Sequence, residues 1–225
     1  MTVLHLADET EAADLAAFLS RLLHYDRGAA VRLQAAGTAL AVFGRPPSFE
    51  VLAVRAVRLA KPYENGLDVT LDVTVSAGEF LESVDERGAT AAVTAAVTGP
   101  PWAGVLPPRG GWQAEPGLPA PDALRATVAE AVAEFRARTE ELAPDGRTRA
   151  ELDRIGRDIW SREIGRTGLP VRAVHAAQSL GFLRPATEPA DTGLFSSGTW
   201  LRLRTPYGSV AVRRAGLGSL GVSVR

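Results

Sequence analysis

Cysteine is missing from this 225-residue chain, and lysine nearly so, with Lys61 its single example. Without thiols there is no disulfide, no thiolate metal site and no cysteine nucleophile; this suits a reducing compartment, and a cytoplasmic location is expected. Histidine is scarce as well: His5, His24 and His175 stand far apart, none of them in a metal-ligand spacing. No H-E-x-x-H, EF-hand loop, P-loop, S-x-x-K or G-x-S-x-G occurs, so no metal, cofactor or catalytic residue is expected from motifs. Apolar runs stay well short of the ~20 residues that cross a bilayer. The opening residues lack the cationic and apolar segments of a signal peptide, so no membrane partner is expected.

What is present is ordinary in amount and unusual in arrangement. A 46% hydrophobic share with 23% charged residues fits a globular protein. Residues 1–144 hold 12 Lys/Arg against 19 Asp/Glu, formally −7. Residues 145–225 hold 13 Arg against 7 acids, formally +6, so a total of −1 conceals an acidic front and a basic back. The preference for Arg over Lys, with abundant Ala and Gly, matches a GC-rich genome such as an actinobacterium's. It weakens arginine content as a sign of nucleic-acid binding.

The hydrophobic pattern predicts an α+β protein. Its N-terminal part is a mostly antiparallel sheet with two helices; a C-terminal three-helix segment is followed by a β-hairpin. Val3–Leu6 reads as a strand. Asp8 is placed as the N-cap of a helix carrying Leu15, Phe18, Leu19, Leu22 and Leu23 at helical spacing. Strands are expected at 29–33, 39–43 and 49–59. In Leu67–Val75 apolar and polar residues alternate strictly, and Asn65-Gly66 just before it predicts a hairpin with the preceding strand. Ser76 caps a short helix, and 90–98 reads as another strand.

Residues 100–121 are rich in proline and glycine and include Trp102 and Trp112. They read as a linker or ordered loop between an acidic β-rich domain (1–99) and a basic helical domain (122–225). Helices are expected at 122–142, after the Thr148/Glu151 capping box, and at 170–180. A hairpin follows at 200–204 and 209–213, and 220–224 reads as a final strand. Gly216-Leu217-Gly218-Ser219-Leu220-Gly221 matches G-x-G-x-x-G in spacing, but too few residues follow for the helix a dinucleotide site needs.

Arg172, His175, Gln178 and Ser179 fall on one side of the third C-terminal helix, opposite small apolar residues. Arg202 and Arg204 share one face of the hairpin, and Arg213 joins them from the partner strand. Residues 148–214 therefore resemble, in topology, a winged helix-turn-helix module. The resemblance implies a recognition helix for double-stranded DNA, with the wing arginines on phosphates. The alternative is an ordinary helix packed on a sheet, its arginines solvated or paired with the acidic half. Residues 3–84, in the order strand, helix, four strands, helix, are similar to a half-domain of the sliding clamps, which implies self-association by strand pairing.

Three functions remain open from sequence. One is a DNA-associated regulatory or accessory protein. A second is a scaffold whose acidic and basic halves pair, with contacts from the hairpin arginines to Glu79, Glu82, Asp85 or Glu86. The third is a small-molecule binder with a pocket between the halves, for which Trp102, Trp112 and Trp160 are the expected lining.

Overall fold

The computed structural model describes residues 2–60, 71–184 and 192–214. Among them the chain is α+β, with five helices, an eight-stranded antiparallel sheet and a three-stranded sheet. The front part runs β1 (Val3–His5), α1 (Glu9–Tyr25), β2 (Ala30–Ala36), β3 (Ala39–Gly44), β4 (Leu52–Arg58), β5 (Leu71–Ser76) and α2 (Ala77–Glu82). Short strands β6 (Val84–Asp85) and β7 (Thr90–Ala92) pair with each other, and β7 pairs with β1. Of the strand expected over 90–98, only the first three residues form one.

β8 (Gln113–Glu115) lies inside the proline-rich stretch. It is followed by α3 (Pro121–Glu140), α4 (Arg149–Trp160) and α5 (Val171–Ser179). Then come β9 (Gly193–Ser197), β10 (Trp200–Thr205) and β11 (Gly208–Arg213). The order across the large sheet is β5-β2-β3-β4-β11-β10-β9-β8. Its middle is the pairing of Leu52, Ala53 and Val54 with Ala211, Val210 and Ser209, which joins front and back in one ladder.

Local signals set many element ends. Asp8 accepts a hydrogen bond from the Glu11 amide (2.9 Å), Ser76 from Glu79 (3.4 Å) and Thr148 from Glu151 (3.3 Å), as their N-cap positions require. Gly37, at φ 58°, turns β2 into β3. The hairpin expected from Asn65-Gly66 is a correction: β5 pairs with β2 along Ala30–Ala35, and β4 has β3 and β11 as neighbours. The alternating pattern identified the strand but carried no information on its partner, which is a long-range choice. Asn65-Gly66, the 216–221 glycines and the strand expected at 220–224 lie outside the described residues.

Alternation gives the sheet two faces. Leu33, Leu40, Val42, Ala53, Leu201, Leu203 and Val210 belong to the main core with the helices. Phe43, Leu52 and Val54 form a second cluster on the opposite face, covered by Trp102 and Leu106.

On the helical side an alternating chain of charges ties the parts together. α1 presents Glu11 and Asp14 one turn apart, with Asp8 a turn earlier. Arg58 binds Asp8 (3.1 Å) and Glu11 (2.7 Å), and Arg55 binds Glu11 (3.0 Å) and Asp14 (3.3 Å). Arg184 binds Asp14 at 2.7 Å and lies 3.7 Å from the Tyr207 ring centroid. Arg55 also donates to the Tyr207 carbonyl at 2.7 Å, in the turn between β10 and β11.

Candidate functional site

Residues 97–115 form a strap across the sheet face opposite the helices. The Val97 amide donates to the Thr74 carbonyl at one edge (2.9 Å), and β8 pairs with β9 at the other. Between these ends Arg32 donates to the Ala103 carbonyl. Trp102 and Leu106 press on Phe43, Leu52 and Val54. Proline suits this path because a strap lying over a sheet face has few ladder bonds to make. Trp112 donates through Nε1 to the Pro108 carbonyl (2.9 Å), folding the strap on itself.

Where β4 begins and β11 ends, strap, sheet and α5 leave a hollow of about 390 Å³. Arg45, Arg172 and Arg213 line it together with Trp102 and Trp200, over a floor that includes Leu52 and Ala211. Among the described residues Glu50 is the one carboxylate in the lining, against three guanidinium groups. Glu50 follows a short 3-10 turn (Pro47–Phe49) and has φ 52°, a left-handed conformation uncommon outside glycine. Its carboxylate stands 3.8 Å from Arg172 Nε, too long for a hydrogen bond. Arg172 Nε is buried and has no hydrogen-bond partner among the described residues. Arg213 is exposed, with its guanidinium 5.0 Å from the Trp200 ring centroid.

The seven residues singled out from sequence do not share one surface. Arg172 and Arg213 meet in this hollow, one from α5 and one from the sheet. Arg202 lies farther along the strap face, half-buried, with Nε donating to Ser209 Oγ (2.9 Å) and its guanidinium 5.6 Å from the Trp112 ring. Desolvation, with neighbouring Arg204 second, pulls its pKa below the ordinary arginine value. Arg204 is exposed over Phe195 at 4.7 Å.

His175 faces neither group. Its ring stacks on Trp160 at 4.7 Å and meets Phe49 edge-on at 5.1 Å, and burial lowers its pKa. Gln178 is exposed and Ser179 half-buried at the far end of α5. Between them the helix buries Ala173, Val174, Ala176 and Ala177, packing on α3 and β11. The β10–β11 hairpin has β9 and β4 on its two sides, as interior strands of the large sheet.

Sequence reading missed Arg45 and Glu50. Arg45 has a weak local sign, an arginine followed by two prolines at a strand end. Glu50 has none, since its position depends on a left-handed backbone and on a helix more than a hundred residues away. Trp102 was among the expected pocket residues and lines this hollow; Trp112 and Trp160 pack elsewhere. No contact joins Arg202, Arg204 or Arg213 to Glu79, Glu82, Asp85 or Glu86 among the described residues. Among them, too, no group of three or more acids and histidines is placed to hold a metal ion. No described helix is long and apolar enough to cross a membrane.

Residues 1–104 match a family model described as Domain of unknown function (DUF8010). Residues 107–217 match one described as Domain of unknown function (DUF8185). No curated protein matches the chain. The two matched stretches adjoin within the strap, while β4 and β11 pair across them.

Proposed function

We propose that this protein binds a small organic anion with a flat apolar body in the hollow between β4, β11, the strap and α5. The observation that carries the reading is Arg172: its Nε is buried without an acceptor, in a lining of three arginines and one acid. A buried donor left unsatisfied costs about 1–3 kcal/mol, and an anionic oxygen arriving there relieves that cost. Trp102 and Trp200 supply flat apolar walls, and about 390 Å³ falls within the usual range for a small-molecule pocket. Apart from Glu50 the described lining offers no acid–base or nucleophilic group, which favours binding over catalysis.

DNA association is the second reading. Arg204 and Arg213 stand exposed on the strap face with no carboxylate partner among the described residues, an arrangement suited to phosphates. Less supports insertion of α5 in a groove, because most of that helix is turned into the core.

Titrating aryl carboxylates and aryl phosphates while following tryptophan emission tests the first reading, since Trp102 and Trp200 both border the site. Arg172→Gln is expected to weaken binding roughly ten-fold or more, the scale of one charge-assisted hydrogen bond. If none of the anions changes the emission or the melting temperature, while a duplex binds with a steep salt dependence, the DNA reading replaces it.

A further inference from the structure

A second hollow, of about 380 Å³, lies beneath another part of the strap. Its floor includes Ala39 and Ala41 of β3 and Ala56 of β4, and its roof Pro107 and Pro108. Strand positions more often hold β-branched or aromatic side chains. Alanine at three neighbouring ones leaves a depression beside the strap, in which Ala39 and Ala56 are exposed. Two arginines, Arg109 and Arg202, line the same space with Asp72, and Arg109 adds, after Arg32 and Gln34, to holding the Asp72 carboxyl below its ordinary pKa.

The charges there do not balance. Asp72 is already neutralised: Arg32 grips both its oxygens (2.7 and 2.9 Å), and Gln34 donates a third bond at 3.1 Å. Arg202 is half-buried beside like-charged Arg204, and its one side-chain hydrogen bond among the described residues runs from Nε to Ser209. Its terminal amino groups therefore have no protein acceptor among the described residues. Neither Arg202 nor Arg109 has an ion-pair partner among the described residues. A partly desolvated guanidinium next to another cation is stabilised by an anion, and its planar fork matches a carboxylate.

We propose that this hollow is a second binding site, taking a carboxylate with an apolar body. The carboxylate sits on Arg202 and Arg109, and the body lies on the Ala39–Ala41–Ala56 floor beneath Pro107 and Pro108. The two hollows share no lining residue among those described: Phe43 and Val54 border this one, and Trp102 borders the hollow at the β4–β11 seam.

The test is amide-resolved NMR of the full chain with three probes, 2-naphthoate, indole-3-acetate and decanoate, and with 2-naphthamide as the uncharged counterpart. At least one acid is expected to shift the Ala41, Ala56 and Arg109 amides, with 2-naphthamide at least ten-fold weaker than 2-naphthoate if that is the acid bound. Arg202→Gln is expected to weaken the acid ten-fold or more, and Ala56→Phe, which fills the floor from an exposed strand position, to abolish binding. Should Arg202→Gln fail to fold, the Ala56→Phe result decides. The proposal is overturned if no acid moves these amides at millimolar concentration, if acid and amide bind alike, or if Ala56→Phe leaves binding intact. Shifts confined to Leu52 and Ala211 overturn it too, while leaving the seam site standing.

Discussion

Replacing Arg55 with methionine tests how the two parts of the chain are held together. The Arg55 side chain is 6% exposed and makes three bonds, to Glu11, to Asp14 and to the Tyr207 carbonyl. Breaking a buried ion pair from one side costs about 3–5 kcal/mol when the partner charge is abandoned. Here neither acid is abandoned, because Glu11 keeps Arg58 at 2.7 Å and Asp14 keeps Arg184 at 2.7 Å. Arg55 Nε is itself buried without a partner among the described residues, so removing the guanidinium also removes one existing penalty. Against this, the Tyr207 carbonyl loses its donor, a cost of about 1–3 kcal/mol. The two bonds to Glu11 and Asp14 are lost as well, each about 1.5–3 kcal/mol as hydrogen bonds to charged groups. With the relief at Nε set against the carbonyl, the expected net loss is about 3 kcal/mol. For a chain of this size that corresponds to roughly 6–12 °C in melting temperature. Urea unfolding followed by circular dichroism measures it, and Asp14→Asn in the same background gives the coupling between the two positions. A loss below about 1 kcal/mol would refute the argument that this charge chain joins α1, β4 and the β10–β11 turn.

Three further outcomes follow from local geometry. Gly208→Ala is expected to cost roughly 1–3 kcal/mol or more, because a Cβ there lies 2.5 Å from the Phe182 ring. Phe182 is itself buried and stacked on Phe18 at 5.6 Å; an unchanged urea midpoint would show that the ring yields. Thr148→Ala removes the cap of α4 and is expected to cost about 1 kcal/mol, with Thr148→Asp restoring most of it in thermal melts. His175, whose folded pKa burial holds below its ordinary value, takes up a proton more readily when unfolded. Its contribution is therefore complete above about pH 6.5 and is lost as pH falls from there through the folded pKa. The stability of His175→Phe should fall less between pH 7 and pH 5 than that of the parent, and identical slopes would rule out this origin.

Legibility from sequence followed the range of the interactions. Asp8, Ser76 and Thr148 were recognisable as caps because a cap bonds to an amide three residues away. The turn at Gly37 and the hairpin β10–β11 were legible for the same reason. The partner of β5 was not, since Val31 and Val75 come together only through the assembled sheet. β9 was missed because Gly193-Leu194-Phe195-Ser196-Ser197 has too few apolar positions to show a period of two. β8 was missed because it is three residues long among prolines. At the candidate site, arginine positions were readable, but their grouping was not. Arg172 and Arg213 share a hollow with Arg45 only because β4 and β11 pair and the strap passes over their ends.

The charge asymmetry also has a physical reading once the two sheet faces are distinguished. On the helical side two charge networks form: Asp8, Glu11 and Asp14 serve Arg58, Arg55 and Arg184, and Glu134 and Asp158 serve Arg138 and Arg162. Arg162 donates to both Glu134 oxygens, at 2.5 and 2.8 Å, linking α3 to the chain just past α4. On the strap side Asp72 is already bound to Arg32 and Glu115 to Arg214. Arg202, Arg204 and Arg213 there lie over Trp112, Phe195 and Trp200, with no acid bonded to them among the described residues. Aromatic faces attract a guanidinium without neutralising it, by about 0.5–1 kcal/mol at exposed sites. Such stacking fixes the cation in place while leaving its charge available. Arg213 borders the seam hollow and Arg202 the hollow beside Pro107 and Pro108, so both charges face the anions proposed above.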